Sequence, residues 1–253
     1  MKKLVLTLIL CIPSLVFASS GGPVLQKANT NVHDTAAVLD GAKLYFNYCI
    51  GCHSLQYARY QRFGDDMGLT SEQLKENFMF SAEKPGELIT IGMPADDSKA
   101  WFGVTPPDLS VTGRSRGPDW IYTYLLSFYL DDAKPTGVNN TLFKDVAMPH
   151  VLWDLQGWQK PVYKTVKGED GHEHQALVGL ELIGKDKMSE AEYKKKVEDY
   201  ELSVRNLTTF LEYMAEPAKL IRERLGIWVL AFLIFIMLPV TYLLKKEYWR
   251  DVH

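Results

Sequence analysis

Apolar residues recur at helical spacing in three interior stretches of the chain and run almost unbroken near its two ends. Between Asp34 and Tyr48, residues Ala37, Gly41, Leu44, Tyr45 and Tyr48 follow that spacing, with Asp34 or Thr35 as N-cap. This predicts a helix. A second helix is predicted over Asp119–Tyr129, opened by Gly117-Pro118, with Ile121, Tyr124, Leu125 and Phe128 on one face. Ser189-x-x-Glu192 is a capping box ahead of a long stripe: Tyr193, Val197, Tyr200, Val204, Leu207, Leu211 and Met214. Glu216-Pro217 ends or kinks that helix. Val162–Val166 and Ala176–Leu182 alternate as a small β-hairpin with Lys167–His174 as its turn. The chain carries no internal repeat. The expected fold is mainly α with one small hairpin.

The unbroken runs organise the rest. Leu225–Leu244 holds no charge and matches the ~20 residues that cross a bilayer. Arg222 and Arg224 flank one end, Lys245, Lys246 and Arg250 the other. Trp228, Tyr242, Tyr248 and Trp249 stand where membrane interfaces fall. Pro239 lies inside the run and is tolerable in a membrane helix when neighbours compensate. At the N-terminus, Lys2 and Lys3 precede an apolar stretch from Leu4 to Phe17, with Val16 and Ala18 as small residues before a cut. This reads as a signal peptide cleaved after Ala18, since Pro13 argues against an anchor helix and Cys11 lacks a lipoprotein context. An exported N-terminus puts the body outside and Lys245–His253 inside.

Composition narrows the class. The 253 residues are 47% hydrophobic and 23% charged, which excludes disordered and low-complexity chains. The formal net charge of −3 disfavours a nucleic-acid binder. Removing the signal takes Lys2, Lys3 and Cys11 with it, leaving a more acidic chain whose only cysteines are Cys49 and Cys52. A disulfide scaffold is excluded.

Those cysteines stand in Cys49-Ile50-Gly51-Cys52-His53, the C-x-x-C-H pattern of covalent haem attachment. Two thiols add across the two vinyl groups of one porphyrin, and the following imidazole reaches the iron. A zinc half-site would need two further ligands, and a redox dithiol would need a βαβ context. The iron's other face needs a second ligand, and a thioether favours ferrous iron. Met93 and Met148 both stand in loops before proline, and Met148 lies ahead of the last helix, as distal ligands of class I cytochromes do. His150 is a further candidate, and bis-histidine ligation would lower the potential. Within Thr105–Ser110, the Pro106-Pro107 pair can present a rigid carbonyl to the far nitrogen of His53, which places Pro107 in the candidate set. Arg114 and Arg116 are each candidates to pair with a haem propionate. His172 and His174 have the spacing of half a metal site, but no third ligand follows, so their turn reads as a solvated acidic loop.

With these residues in hand, the chain resembles the cytochrome c1 family, the haem subunits of bacterial ubiquinol–cytochrome c reductase. The resemblance covers essentially the whole chain after the signal. It rests on Cys49–Leu55, Pro106–Ser110, Arg114-Ser115-Arg116, Met148-Pro149, Ala215-Glu216-Pro217 and the single C-terminal anchor. The family pattern places the axial methionine at Met148 rather than Met93 and the propionate-binding arginine at Arg116. It departs at His150 and Val151, where the family is proline-rich.

The resemblance implies a class I cytochrome c-like haem domain with a small β-hairpin and one C-terminal transmembrane helix. It implies one covalent haem c on Cys49 and Cys52, with iron held by His53 and Met148. The expected organisation is a signal peptide over 1–18, a periplasmic domain over 19–224, a transmembrane helix over 225–244 and a cytoplasmic tail over 245–253. The implied partners are a cytochrome b subunit, a Rieske iron–sulfur protein, a cytochrome c acceptor and membrane lipid, with no nucleic acid, in a dimeric complex of the bacterial inner membrane. Electrons would pass from the Rieske protein to the acceptor, with no catalysis by the subunit alone. The rival readings are another anchored monohaem cytochrome and a haem enzyme or gas sensor with an open iron site.

Overall fold

The computed structural model describes residues 23–167 and 173–250. The signal reading over 1–18 and the centre of the acidic turn, including His172, lie outside the described residues. Helix α1 (Thr35–Leu44) opens at Asp34, whose carboxylate accepts from the Ala37 amide at 3.1 Å. It continues into one wide turn, Tyr45–Cys49, which ends at the first cysteine. Strand β1 (Leu55–Arg59) follows, then α2 (Tyr60–Met67), α3 (Ser71–Phe78), β2 (Leu88–Ile89), α4 (Ala95–Phe102), α5 (Thr112–Ser115) and α6 (Pro118–Leu126). Next come β3 (Phe128–Leu130), β4 (Val138–Asn140), α7 (Trp153–Gln156), β5 (Gln159–Lys167), β6 (Glu173–Leu182) and α8 (Glu190–Ala215). The sheets among the described residues are antiparallel pairs: β1–β2, β3–β4 and β5–β6.

Helix α8 is the spine. Its capping box forms as the sequence indicates: the Glu192 amide donates to Ser189 Oγ, and the Ser189 amide to the Glu192 carboxylate. Tyr193 and Val197 are half-buried, whereas Tyr200, Val204, Leu207, Leu211 and Met214 are buried. Helix α1 crosses α8 so closely that a Cβ on Gly41 would stand 1.9 Å from the Asn206 carbonyl oxygen. Gly113 lets α5 approach in the same way, with Leu211 O 2.6 Å from such a Cβ. Tyr45, Phe46, Phe63, Phe78, Phe210 and Tyr213 interlock where these helices meet, mostly in edge-on or tilted pairs. The cysteine motif is therefore fixed to the densest part of the core.

The second helix is shorter than its periodicity suggests. It ends at Leu126, and Phe128 enters β3, opposite Asn140. The Asn140 side-chain amide donates to the Tyr124 carbonyl at 2.8 Å, and Ser127 Oγ donates to the Thr123 carbonyl at 2.6 Å. These groups satisfy the last turn and release the chain into a strand. The β5–β6 hairpin is longer than the alternating segments alone indicated, and a bulge lies between Val162 and Tyr163.

After Glu216-Pro217 the chain enters a long helix, α9 (Lys219–Tyr248), whose most apolar 18-residue stretch has a mean hydropathy of 2.5 and is wholly unburied. A wide turn over Leu233–Met237 precedes Pro239. Proline lacks an amide proton and crowds the preceding turn, and widening that turn relieves the crowding. Thr241 Oγ1 also donates to the Met237 carbonyl at 2.7 Å.

Candidate haem site

The motif closes on its own first residue. The amides of Cys52 and His53 both donate to the Cys49 carbonyl, at 3.0 and 2.9 Å. Tyr45 Oη reaches over from the preceding turn and donates to the His53 carbonyl at 2.5 Å. Both thiols are free. Burial pushes the Cys49 thiol up to about 12, and burial also raises Cys52. A redox dithiol works through a depressed thiol pKa, so this environment runs against that reading. The environment instead holds two neutral thiols next to each other and next to an imidazole.

His53 is 9% exposed. Its Nδ1 lies 2.7 Å from the Pro107 carbonyl oxygen, so that nitrogen carries the proton and donates. Burial lowers its pKa, with the Pro107 carbonyl opposing. The ring is therefore neutral, with its Nε2 lone pair unengaged, the form that binds a metal. The proline segment is clamped in place. Leu109 N donates to Ser54 O at 2.9 Å, Gln56 N to Asp108 Oδ2 at 2.9 Å and Tyr57 N to Ser110 Oγ at 3.1 Å. Ser54 Oγ accepts from the Ile91 amide at 3.1 Å, which ties the loop after β2 to the same point.

Met148 stands against the face of α6 that carries Trp120 and Tyr124. Those rings stack at 5.1 Å and 9°, and Tyr124 Oη donates to Met148 Sδ at 3.3 Å. The Arg116 guanidinium lies 5.0 Å from the Trp120 ring centre, and Phe143 meets the same ring edge-on. Arg116, Trp120, Tyr124 and Met148 thus form one continuous set of contacts. Arg116 is exposed and has no carboxylate at ion-pair distance among the described residues. Arg114 is exposed too. Met93 is half-buried, and its sulfur accepts no hydrogen bond among the described residues. His150 is buried, stacked on Phe128 at 5.0 Å and 6°, with Trp158 against its edge. Burial lowers its pKa to about 4.

The donor set suits a porphyrin. Two neutral thiols, an imidazole oriented through Nδ1, a thioether and an unpaired guanidinium match two vinyl groups, two axial positions and a carboxylate. Trp101, Val104, Val111 and Phe143, in the segments that carry these groups, remain 66%, 53%, 48% and 47% exposed. Among the described residues, no group of three or more His, Cys, Asp or Glu side chains is placed to hold a bare metal ion.

Sequence reasoning missed Trp120 and the role of Tyr124. The available signal was an aromatic pair four residues apart, flanking the helix face that Ile121 and Leu125 bury. Ser54 and Asp108 were also missed, because a clamp between residues more than fifty positions apart leaves no local pattern.

Residues 26–175 match the model of the Cytochrome C1 family. Cytochrome c1 of Allochromatium vinosum is 49% identical over 254 residues, covering all of both chains. The ammonia monooxygenase gamma subunit of Nitrosomonas europaea is 39% identical over 253 residues, covering 100% of this chain and 99% of that one. Cytochrome c1 of Rhodospirillum rubrum is 23% identical, across 97% of this chain. A family match over more than half the chain, full-length relatives and, among the described residues, one helix long and apolar enough to cross a membrane agree with the site geometry. On these grounds the chain belongs to the cytochrome c1 family of membrane-anchored, electron-transferring haem proteins.

Proposed function

We propose that this chain carries one electron from a Rieske iron–sulfur protein to a cytochrome c acceptor, through one haem c held covalently by Cys49 and Cys52. The observation that carries the proposal is the neutral His53 ring, fixed through Nδ1 to the Pro107 carbonyl with Nε2 free, beside two unpaired thiols. When bound, the haem supplies a one-electron ferric–ferrous couple. Cys49 and Cys52 would hold it through two thioether bonds. His53 would supply an imidazole ligand to the iron, and the Pro107 carbonyl sets that imidazole's orientation and basicity. Met148 would supply a thioether ligand, which favours the ferrous state. Arg116 supplies the cation for one propionate. With His53 and Met148 both serving as ligands, the iron would be closed to substrate and the subunit alone would transfer electrons without catalysing a reaction.

The anchor positions the site. In this reading residues 1–18 are a signal peptide cut after Ala18, 19–224 form the periplasmic domain, 225–244 span the membrane and 245–253 face the cytoplasm. The complex contains a cytochrome b subunit and the Rieske protein and is dimeric. A second reading draws on the Nitrosomonas europaea relative: delivery of electrons within a monooxygenase assembly. Purification of the native complex separates the two. Cytochrome b and Rieske subunits in constant ratio with this chain support the first, and monooxygenase subunits in their place overturn it.

A further inference from the structure

Tyr124 is held on several sides. Its ring stacks on Trp120, meets Phe128 edge-on at 5.2 Å, and its carbonyl accepts from Asn140 Nδ2 at 2.8 Å. The neighbouring Ile121, Tyr122 and Leu125 are buried in the core, so the helix that carries the ring cannot rotate freely. From this fixed position the hydroxyl reaches Met148 Sδ at 3.3 Å. Met148 in turn packs against Phe128, Val138 and Val146. Phenylalanine at 124 would preserve every ring contact, and the hydroxyl adds only the bond to sulfur.

A thioether sulfur has two lone pairs. We propose that Tyr124 is a positioning residue for the distal ligand: its O–H occupies one lone pair of Met148 Sδ, so only the other faces the iron. The proposal rests on Met148 being that ligand. The bond has two physical consequences. It fixes which side of the sulfur carries the metal, and hence where the terminal methyl group points. It also draws electron density from the sulfur, which weakens its bond to electron-poor ferric iron more than to ferrous iron. The reduced state is favoured as a result.

The test uses the full-length chain matured with its haem, and Tyr124→Phe. The ferric–ferrous equilibrium should move toward ferric by a factor of about three to ten, the net effect of one hydrogen bond, read as a lower midpoint potential. The sulfur-to-ferric-iron charge-transfer band should shift with it. The same substitution is then made in a Met148→His background, which keeps a sixth ligand but removes the sulfur. There Tyr124→Phe should leave the potential unmoved. An unchanged potential and band in Tyr124→Phe overturns the proposal. Equal shifts in both backgrounds overturn it too, because the hydroxyl would then act through packing. A distinct failure belongs to the underlying reading: if Met148→His alone leaves the wild-type potential and band in place, Met148 is not the ligand.

Discussion

At the scale of single residues, the chemistry depends on keeping each group neutral until it meets its partner. Burial suppresses ionisation of both thiols, and the Pro107 carbonyl fixes the tautomer of His53. The two methionines that precede proline separate in the same way. Met148 is engaged by Tyr124, whereas Met93 accepts no hydrogen bond among the described residues. Met148→Leu should therefore shift the ferric–ferrous equilibrium well over tenfold toward ferric, at about 59 mV per tenfold, and let carbon monoxide bind the reduced iron. Met93→Leu should do neither; potentiometry and carbon monoxide difference spectra compare the two variants. Arg116 is exposed, so the proposed pairing with a propionate would contribute about 1 kcal/mol or less. Arg116→Ala should lower the potential slightly and loosen haem retention. Wild-type values in both measurements would remove it from the site. The covalent motif was legible because its spacing is local. The partnership of Tyr124 with Met148 was not, because it joins residues twenty-four positions apart whose contact exists only in the folded chain.

At the scale of elements, α6 holds more than the distal side of the site. Asp119 in its first turn bonds Lys27 Nζ at 2.7 Å and the Ala28 amide at 2.9 Å, and Thr123 Oγ1 accepts from the Gln26 amide at 2.8 Å. The N-terminal arm is thus fastened along this helix. The Lys27 hydrogen bond, followed by that from Ala28, holds the Asp119 carboxyl below its ordinary value. A depressed carboxyl stabilises the fold above its unfolded pKa, about 3.9, and loses that contribution as pH falls through the folded value. The protection factor of the Ala28 amide should fall as pH drops below the ordinary carboxyl value, and Asp119→Asn should show weaker protection at neutral pH with little further change on acidification. Equal acid sensitivity in both proteins would exclude Asp119 as the cause. The long elements were readable from sequence: the α8 stripe, its capping box and the apolar anchor. The strands β1 to β4 were not, because runs of two to five residues carry too little alternation and are set by tertiary pairing.

At the scale of the whole molecule, the haem domain and its anchor are joined by more than a kinked peptide. Lys219 bonds Glu212 at 2.7 Å, Arg222 bonds Glu216 at 2.7 Å, and His33 lies 3.1 Å from Glu223. These contacts bridge the break at Glu216-Pro217 and set the domain's attitude to the membrane helix. The buried stripe ends at Met214, and α9 contributes no buried side chain. Ending the chain before Leu225 should therefore release a soluble haem domain of unchanged spectrum, measured in the supernatant after membranes are removed. The central claim concerns the electron's route, and one measurement addresses it most directly: the rate at which quinol reduces this haem in membranes with and without the Rieske protein. Fast reduction should occur only when the Rieske protein is present and should stop when the quinol-oxidation site is inhibited. Normal reduction in membranes that lack the Rieske protein would contradict the account.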